Sequence, residues 1–253
     1  MNESSRAAAL ARLRPWAERA RGFSGWSFDA IHERYLDDDK PWSYRGLVRE
    51  HAARASSVLD LGTGGGERLA ELRSALPRRV VATEQWHVNA PIAGRRLAPL
   101  GVAVVRATTS ALPFAAATFD LVIDRHEELA PAEIVRVLRP GGWAITQQVG
   151  MHHWQEARAC FPRWIDYGDH RTRYADEFRA AGCTVESWEH ERRLAYPSLG
   201  EFAYMLLTAP WYVADLDIER DLDALLAIER TCTTPDGLVL TDCRYLLTAR
   251  KPL

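Results

Sequence analysis

Between residues 58 and 67 the sequence reads VLDLGTGGGE, an apolar run carrying one acid and then four glycines within six positions. A short apolar run of this kind reads as a buried strand, and a bend with almost no side chains lets the backbone turn sharply and approach a ligand closely. The helical pattern that follows completes a strand–turn–helix unit, whose strand is buried on both faces only inside a sheet. The unit repeats. Strands are expected at 57–61, 79–84, 103–107, 119–124 and 143–149, with helices over roughly 66–75, 88–98 and 131–138. Such alternation predicts an α/β fold built on a doubly wound, mostly parallel sheet. RPGG at 139–142 reads as a helix stop and a turn before the strand at 143.

The flanks follow other patterns. A helix over about 4–21 places Leu10, Leu13, Trp16, Ala17 and Ala20 on one face. Beyond the repeats, a helix at 170–181, a strand at 183–194, helices at 198–208 and 217–230, and a closing strand at 237–250 are expected. Two helices inserted before the last strand belong over one rim of the sheet, as a lid.

Of the 253 residues, 47% are hydrophobic, enough for a sizeable core, and the net charge is −2. The basic footprint that binds phosphate backbones is missing, so no nucleic-acid partner is expected. Cys160, Cys183, Cys232 and Cys243 form no CxxC pair and no zinc spacing, which fits a reducing compartment. Arginines interrupt the N-terminus where a secretory signal needs an apolar core, and no apolar run reaches the ~20 residues of a membrane span. The expectation is a soluble, cytoplasmic protein away from membranes; the oligomeric state stays open.

Two cofactor classes use a glycine bend after a strand. A dinucleotide takes G-x-G-x-x-G, with its pyrophosphate at the helix N-terminus. Counting from Gly62 puts Glu67 at the third glycine, and counting from Gly64 puts Leu69 there. Asp60 at the strand end opposes a phosphate and suits a cationic group such as an α-ammonium. An NAD-dependent oxidoreductase is therefore the weaker alternative.

The pattern Asp60-x-Gly62-x-Gly64-x-Gly66 resembles motif I of the class I S-adenosylmethionine-dependent methyltransferases. VVATEQW at 80–86 is similar to that family's second strand. ATTSALPFAAATFDLVIDRH at 107–126 is similar to its L-P-F…F-D-x-V segment. AEIVRVLRPGGWAITQQ at 132–148 resembles its helix, R-P-G-G turn and fifth strand. These motifs cover roughly residues 56–150 in the family's order. The resemblance implies S-adenosylmethionine as cofactor and a seven-stranded Rossmann-like sheet whose last strand is antiparallel. The chain is expected to form one domain over 1–253: a helical cap at 1–55, the cofactor core at 56–150 that carries the resemblance, and a C-terminal half at 151–253 with its lid at 198–230. By the same resemblance, Gly62, Thr63 and Gly64 contact the methionyl and adenosyl parts, and Asp60 the amino-acid end. Glu84 takes the ribose hydroxyls, and Gln85 or Trp86 lies near the adenine. Thr108 and Thr109 stand at the adenine edge, where the family often has Asp-Ala. Asp124, Arg125 and His126 line the methyl-donor end.

Acceptor chemistry in that family begins at the segment that here reads DRHEEL, 124–129. It is not N-P-P-Y and holds no cysteine, and the fifth strand ends in Gln147 and Gln148 rather than carboxylates, so no metal is expected. His126 is the candidate general base, since an imidazole titrates near neutrality; Glu127 orients it or acts itself. His152 and His153 are expected to flank a helix, with the acceptor side as the alternative, and Asp37, Asp38 and Asp39 to form a solvated loop. Of the aromatics Trp16, Trp26, Tyr35, Trp42, Tyr44, Tyr204, Trp211 and Tyr212, some shield a sulfonium and most pack. The expected reaction is methyl transfer to an oxygen or nitrogen of a small molecule. An RNA or protein acceptor, and cofactor binding without turnover, remain as alternatives.

Overall fold

The computed structural model describes residues 3–26, 28–29 and 31–253. Nine strands form one sheet: β1 (Arg34–Tyr35), β2 (Ser57–Leu61), β3 (Arg79–Thr83), β4 (Ala103–Val105), β5 (Phe119–Arg125), β6 (Leu138–Val149), β7 (Thr184–Tyr196), β8 (Thr233–Thr234) and β9 (Gly237–Arg250). Their order is β1-β7-β9-β6-β5-β2-β3-β4, with β8 beside β9. Strands β2 to β6 run parallel, and β9 runs antiparallel to both β6 and β7. This is the expected seven-stranded sheet with two two-residue strands added. The chain leaves β2 toward β3 and β4, then returns to β5 on the other side, so the strand order reverses between β2 and β5. Such a reversal opens a crevice at the carboxyl ends of those strands.

Alternation along the central strands separates the two faces. Val58, Val80, Ala82, Leu121 and Ile123 pack under α2 (Tyr44–Ala52), α3 (Glu67–Leu72) and α4 (Asn89–Leu97). Leu59, Leu61 and Val122 pack under α5 (Pro131–Val137) and α7 (His170–Ala180). A third cluster joins α1 (Glu3–Arg21), α6 (Gln155–Arg158), α8 (Leu199–Thr208) and α9 (Leu222–Cys232) to the ends of β7 and β9. In it, the small Ala9 and Ala17 flank Leu13 on the buried stripe of α1. Burying such a leucine contributes roughly 1.5–3 kcal/mol. No helix among the described residues is long and apolar enough to cross a membrane.

Two local expectations change. RPGG at 139–142 does not separate helix from strand. It lies within β6 as a bulge: Leu138 pairs with Phe119 and Trp143 with Leu121, so five steps on β6 face two on β5. Gly141, at φ 74°, turns its N–H to the carbonyl of Lys251 at 3.1 Å. The helix α2 went unread, although Ser43 caps it by accepting from the Gly46 N–H at 3.0 Å, and Tyr44, Val48 and Ala52 recur every four residues on its buried side.

Candidate functional site

A cavity of about 1980 Å³ opens at the carboxyl ends of β2, β3 and β5 and extends toward β7 and β9. One end is acidic. Asp60 is the next-to-last residue of the fully buried β2, and Gly62, Gly64 and Gly66 follow at φ 59°, 62° and 82°. The requirement for glycine is sharpest at Gly62, where a Cβ would sit 2.4 Å from the Glu127 carboxylate. Glu84, just past β3, accepts from the Gly64 N–H at 2.7 Å and the Trp86 N–H at 2.8 Å, tying the bend to the next strand. Asp124 accepts from the Thr146 hydroxyl and from Gln148 Nε2 at 2.5 Å, while its second oxygen is buried without a partner. Glu127 Oε1 accepts from Gln85 Nε2 at 2.9 Å.

None of these four carboxylates forms an ion pair with the described residues. Removal from water disfavours their charge. Burial raises Asp60 to about 7, with the charge of Glu84 adding to it. Burial likewise raises Glu127 to about 7, again with help from Glu84. Glu84 is raised, and Asp124 well above the usual range, for the same first cause. Glu67 does not contribute to this field, because Arg96 pairs with it.

The N-terminal segment crosses this end. Asn89, buried on α4, accepts from the Gly25 N–H at 2.7 Å and donates to the Gly25 carbonyl at 3.3 Å. Farther along, the His32 N–H donates to the buried Glu201 of α8 at 2.7 Å. Between these fixings Trp26 lies over the bend, where a Cβ on Gly64 would meet it at 3.0 Å. Trp26 stacks with Trp211, beyond α8, at 5.9 Å between centroids.

The other end is built around two arginines. Asp242 and Arg244 stand two apart on β9, hence on one face, and Arg192 on β7 is the register partner of Asp242. Asp242, 0% exposed, lies 2.6 Å from Arg244 Nε, 3.2 Å from Arg192 Nε and 3.3 Å from His153 Nδ1. Arg192 also reaches Asp39 at 2.8 Å and lies over the Tyr35 ring. Despite burial, Arg244, His153 and Arg192 hold Asp242 far below the usual carboxylate range. Burial lowers His153 to about 4, so its ring is neutral.

His126 lies between the two ends. Its backbone is left-handed at φ 72°, its N–H donates to the Gln147 carbonyl at 3.1 Å, and its Nδ1 is buried without a partner. Burial first, then the charges of Arg244 and Arg125, hold its pKa well below 6.5. Glu127 does not orient it; that carboxylate is turned to Gln85.

The cavity thus brings together Asp60, Gly62, Thr63, Gly64, Glu84, Gln85, Trp86, Arg125, His126 and Glu127. Asp124 borders it through Gln148. Thr108 and Thr109 do not line it: Thr108 is exposed beside Ser110 at 3.1 Å, and Thr109 is buried beyond β4. One reading of the flanks is corrected. His153 faces the cavity, and only His152 sits outside, against Glu191 at 2.6 Å. Asp37, Asp38 and Asp39 are exposed, as a solvated loop requires, and Arg193 and Arg192 of β7 additionally pair with Asp37 and Asp39. Arg192, Tyr196 and Arg244, which line the cavity, and Asp242, which pairs with both arginines behind it, carry no role in the sequence reading. The available signal was the charged pair two apart in the otherwise apolar LVLTDCRYLL.

Residues 59–146 match a family described as a methyltransferase domain. The match takes in the whole acidic end and leaves the arginine end outside. The ubiquinone/menaquinone biosynthesis C-methyltransferase of Desulfotalea psychrophila is 31% identical over 132 residues, 46% of this chain and 53% of that protein. The chain therefore spans about half the length of that relative. A functionally unknown protein from Deinococcus radiodurans R1 shares the fold at TM-score 0.64 and 15% identity, over 94% of this chain and 99% of that one. A putative methyltransferase from Bacillus halodurans C-125 does so at TM-score 0.58 and 20% identity, over 83% and 99%.

Proposed function

We propose that this chain is a class I S-adenosylmethionine-dependent methyltransferase and transfers the methyl group to an oxygen or nitrogen of a small-molecule acceptor. The observation that carries the reading is the acidic end: four carboxylates withdrawn from water, without cationic partners, around a bend that leaves room for a ligand. Such a site gains most from a ligand that brings positive charge, and a diphosphate bridge would add to the repulsion. On this reading Asp60 holds the amino-acid end, Glu84 the ribose hydroxyls, and Gln85 and Trp86 the adenine side. Bound there, the cofactor supplies a methyl group on a positively charged sulfur.

The protein's own work is then alignment and proton removal. Holding the two reactants at ~3–3.5 Å in line supplies most of the acceleration that a displacement of this kind needs. His126, neutral and with Nδ1 unpartnered, is free to accept a proton from a hydroxyl or ammonium. Glu127, at about 7, is the group whose pKa matches that task, whereas His126 offers an open nitrogen of lower basicity. Trp26 and Trp211, stacked on each other, both line the cavity and offer an apolar wall that suits a small acceptor better than RNA or a folded protein. A carbon acceptor is the second reading, supported by the C-methyltransferase among the relatives.

Calorimetric titration with S-adenosylhomocysteine and with NAD tests the cofactor site. Asp60→Ala and Glu84→Ala should each weaken nucleoside binding about tenfold or more, the cost of one charge-assisted contact. Unchanged affinity in both variants, or tighter binding of NAD, overturns the assignment. A ¹³C-methyl-labelled cofactor then reports by NMR whether the product carries the label on oxygen, nitrogen or carbon.

A further inference from the structure

The arginine end lies outside the family match, and it bears on what the acceptor carries. Resting on the methyl-transfer reading, we propose that the acceptor bears an oxyanion, a carboxylate or phosphate, anchored by the guanidinium edge of Arg244 with the Tyr196 hydroxyl as a second donor. Arg244 forms an ion pair with Asp242, whose Oδ1 lies 2.6 Å from its Nε. Its two terminal nitrogens make no hydrogen bond with the described residues, and its side chain lines the cavity with 19% of its surface exposed. A planar fork held by one edge and open at the other matches the two oxygens of a carboxylate or phosphate. Arg192 cannot serve in its place, because Asp242, Asp39 and the Tyr35 ring already occupy it.

Tyr196 supplies the independent observation. It lines the same chamber, is 0% exposed, and its hydroxyl faces the Glu33 carboxyl, on which the charge of Arg244 also acts. The chamber thus already accommodates a carboxyl between these two groups, and an incoming oxyanion would take its place. His153 is neutral and places no competing charge there. Glu33, at the rim, is the opposing group, and burial raises its pKa above that of a free carboxyl. The placement also sets polarity. Four carboxylates repel an anion from the far end, so the acceptor enters anion-first toward β9 and presents its reacting atom near His126.

Benzoate and inorganic phosphate serve as probes, with sodium chloride at matched ionic strength as the control. Binding is followed by tryptophan emission, since Trp154 and Trp164 line the chamber. At least one probe should bind saturably, and which one does distinguishes a carboxylate from a phosphate source. Arg244→Gln and Arg244→Lys should each weaken that binding at least tenfold, and Tyr196→Phe two- to fivefold, with S-adenosylhomocysteine affinity changed less than threefold. The lysine variant keeps a charge beside Asp242 and so tests the fork even if the glutamine variant does not fold. No binding above the chloride control, or undiminished binding in Arg244→Lys, overturns the proposal. Loss of S-adenosylhomocysteine binding by the unaltered protein would instead overturn the methyl-transfer reading.

Discussion

Asp60 and Asp242 are both buried carboxylates, one lining the cavity and the other behind its arginine end, yet they titrate in opposite directions. Asp60 is raised to about 7, because burial removes its water and no cation replaces it. Asp242 is buried still more completely and lies far below the usual range, because two arginines close on it. The same contrast holds for their neighbourhoods: Glu84, Asp124 and Glu127 join Asp60 without ion-pair partners, whereas Arg192, Arg244 and Asp39 form a connected network. Burial alone does not say whether a charged residue is structural. A carboxylate whose partners are built into the fold has finished its electrostatic work, while one left unpaired is poised for a ligand.

The largest effect expected falls at the junction of the two ends. His126→Asn, a residue that tolerates the left-handed backbone at φ 72°, should lower turnover roughly 10²–10⁴-fold, as for loss of a general base. Cofactor affinity should change less than threefold; the reverse pattern would make His126 a packing residue. Next comes the pH dependence of cofactor binding. A cation favours the ionised form of Asp60, so binding releases protons below pH 7, and affinity should rise up to about tenfold from pH 6 to pH 7.5. Calorimetry in two buffers of different ionisation enthalpy reads that proton directly; an affinity flat over this range breaks the comparison.

Stability should move the other way. A folded pKa of about 7 against 3.8 means the folded protein without ligand holds the Asp60 proton more tightly than the unfolded chain does. This stabilisation is complete below about pH 4 and is lost as pH rises through 7. Asp60→Asn should therefore raise the Tm of the ligand-free protein at pH 8 by a few degrees, at roughly 2–4 °C per kcal/mol for a chain of this size, while weakening cofactor binding. An unchanged or lower Tm at pH 8 argues that Asp60 already has a compensating partner. The smallest effect belongs to Thr108→Ala, which should alter cofactor affinity less than about twofold because its side chain lies outside the cavity.

The acidic end could be read residue by residue because it depends on local signals. Glycines at 62, 64 and 66 specify positive φ, and the acids at 60, 84 and 124 stand at or just after the ends of short apolar runs. Thr108 and Thr109 are expected at the adenine edge on motif position alone, and neither lines the cavity. The short β4 ends at Val105 and leaves both residues past the rim. The RPGG bulge failed for a related reason: proline and glycine mark a break in regular pairing, and only the partner strand decides whether that break is a turn or a bulge.

By itself the sequence determined the order of the units, the doubly wound sheet and the glycine bend, because strand periodicity and glycine conformation act over a few residues. The tertiary structure alone decided the arginine end. Glu33, His153, Arg192, Tyr196 and Arg244 come from four separate stretches, and the β7–β9 pairing together with the packing of the N-terminal segment brings them to one chamber. Contacts across fifty to two hundred residues leave no period in the chain, so they exist only once the sheet has closed.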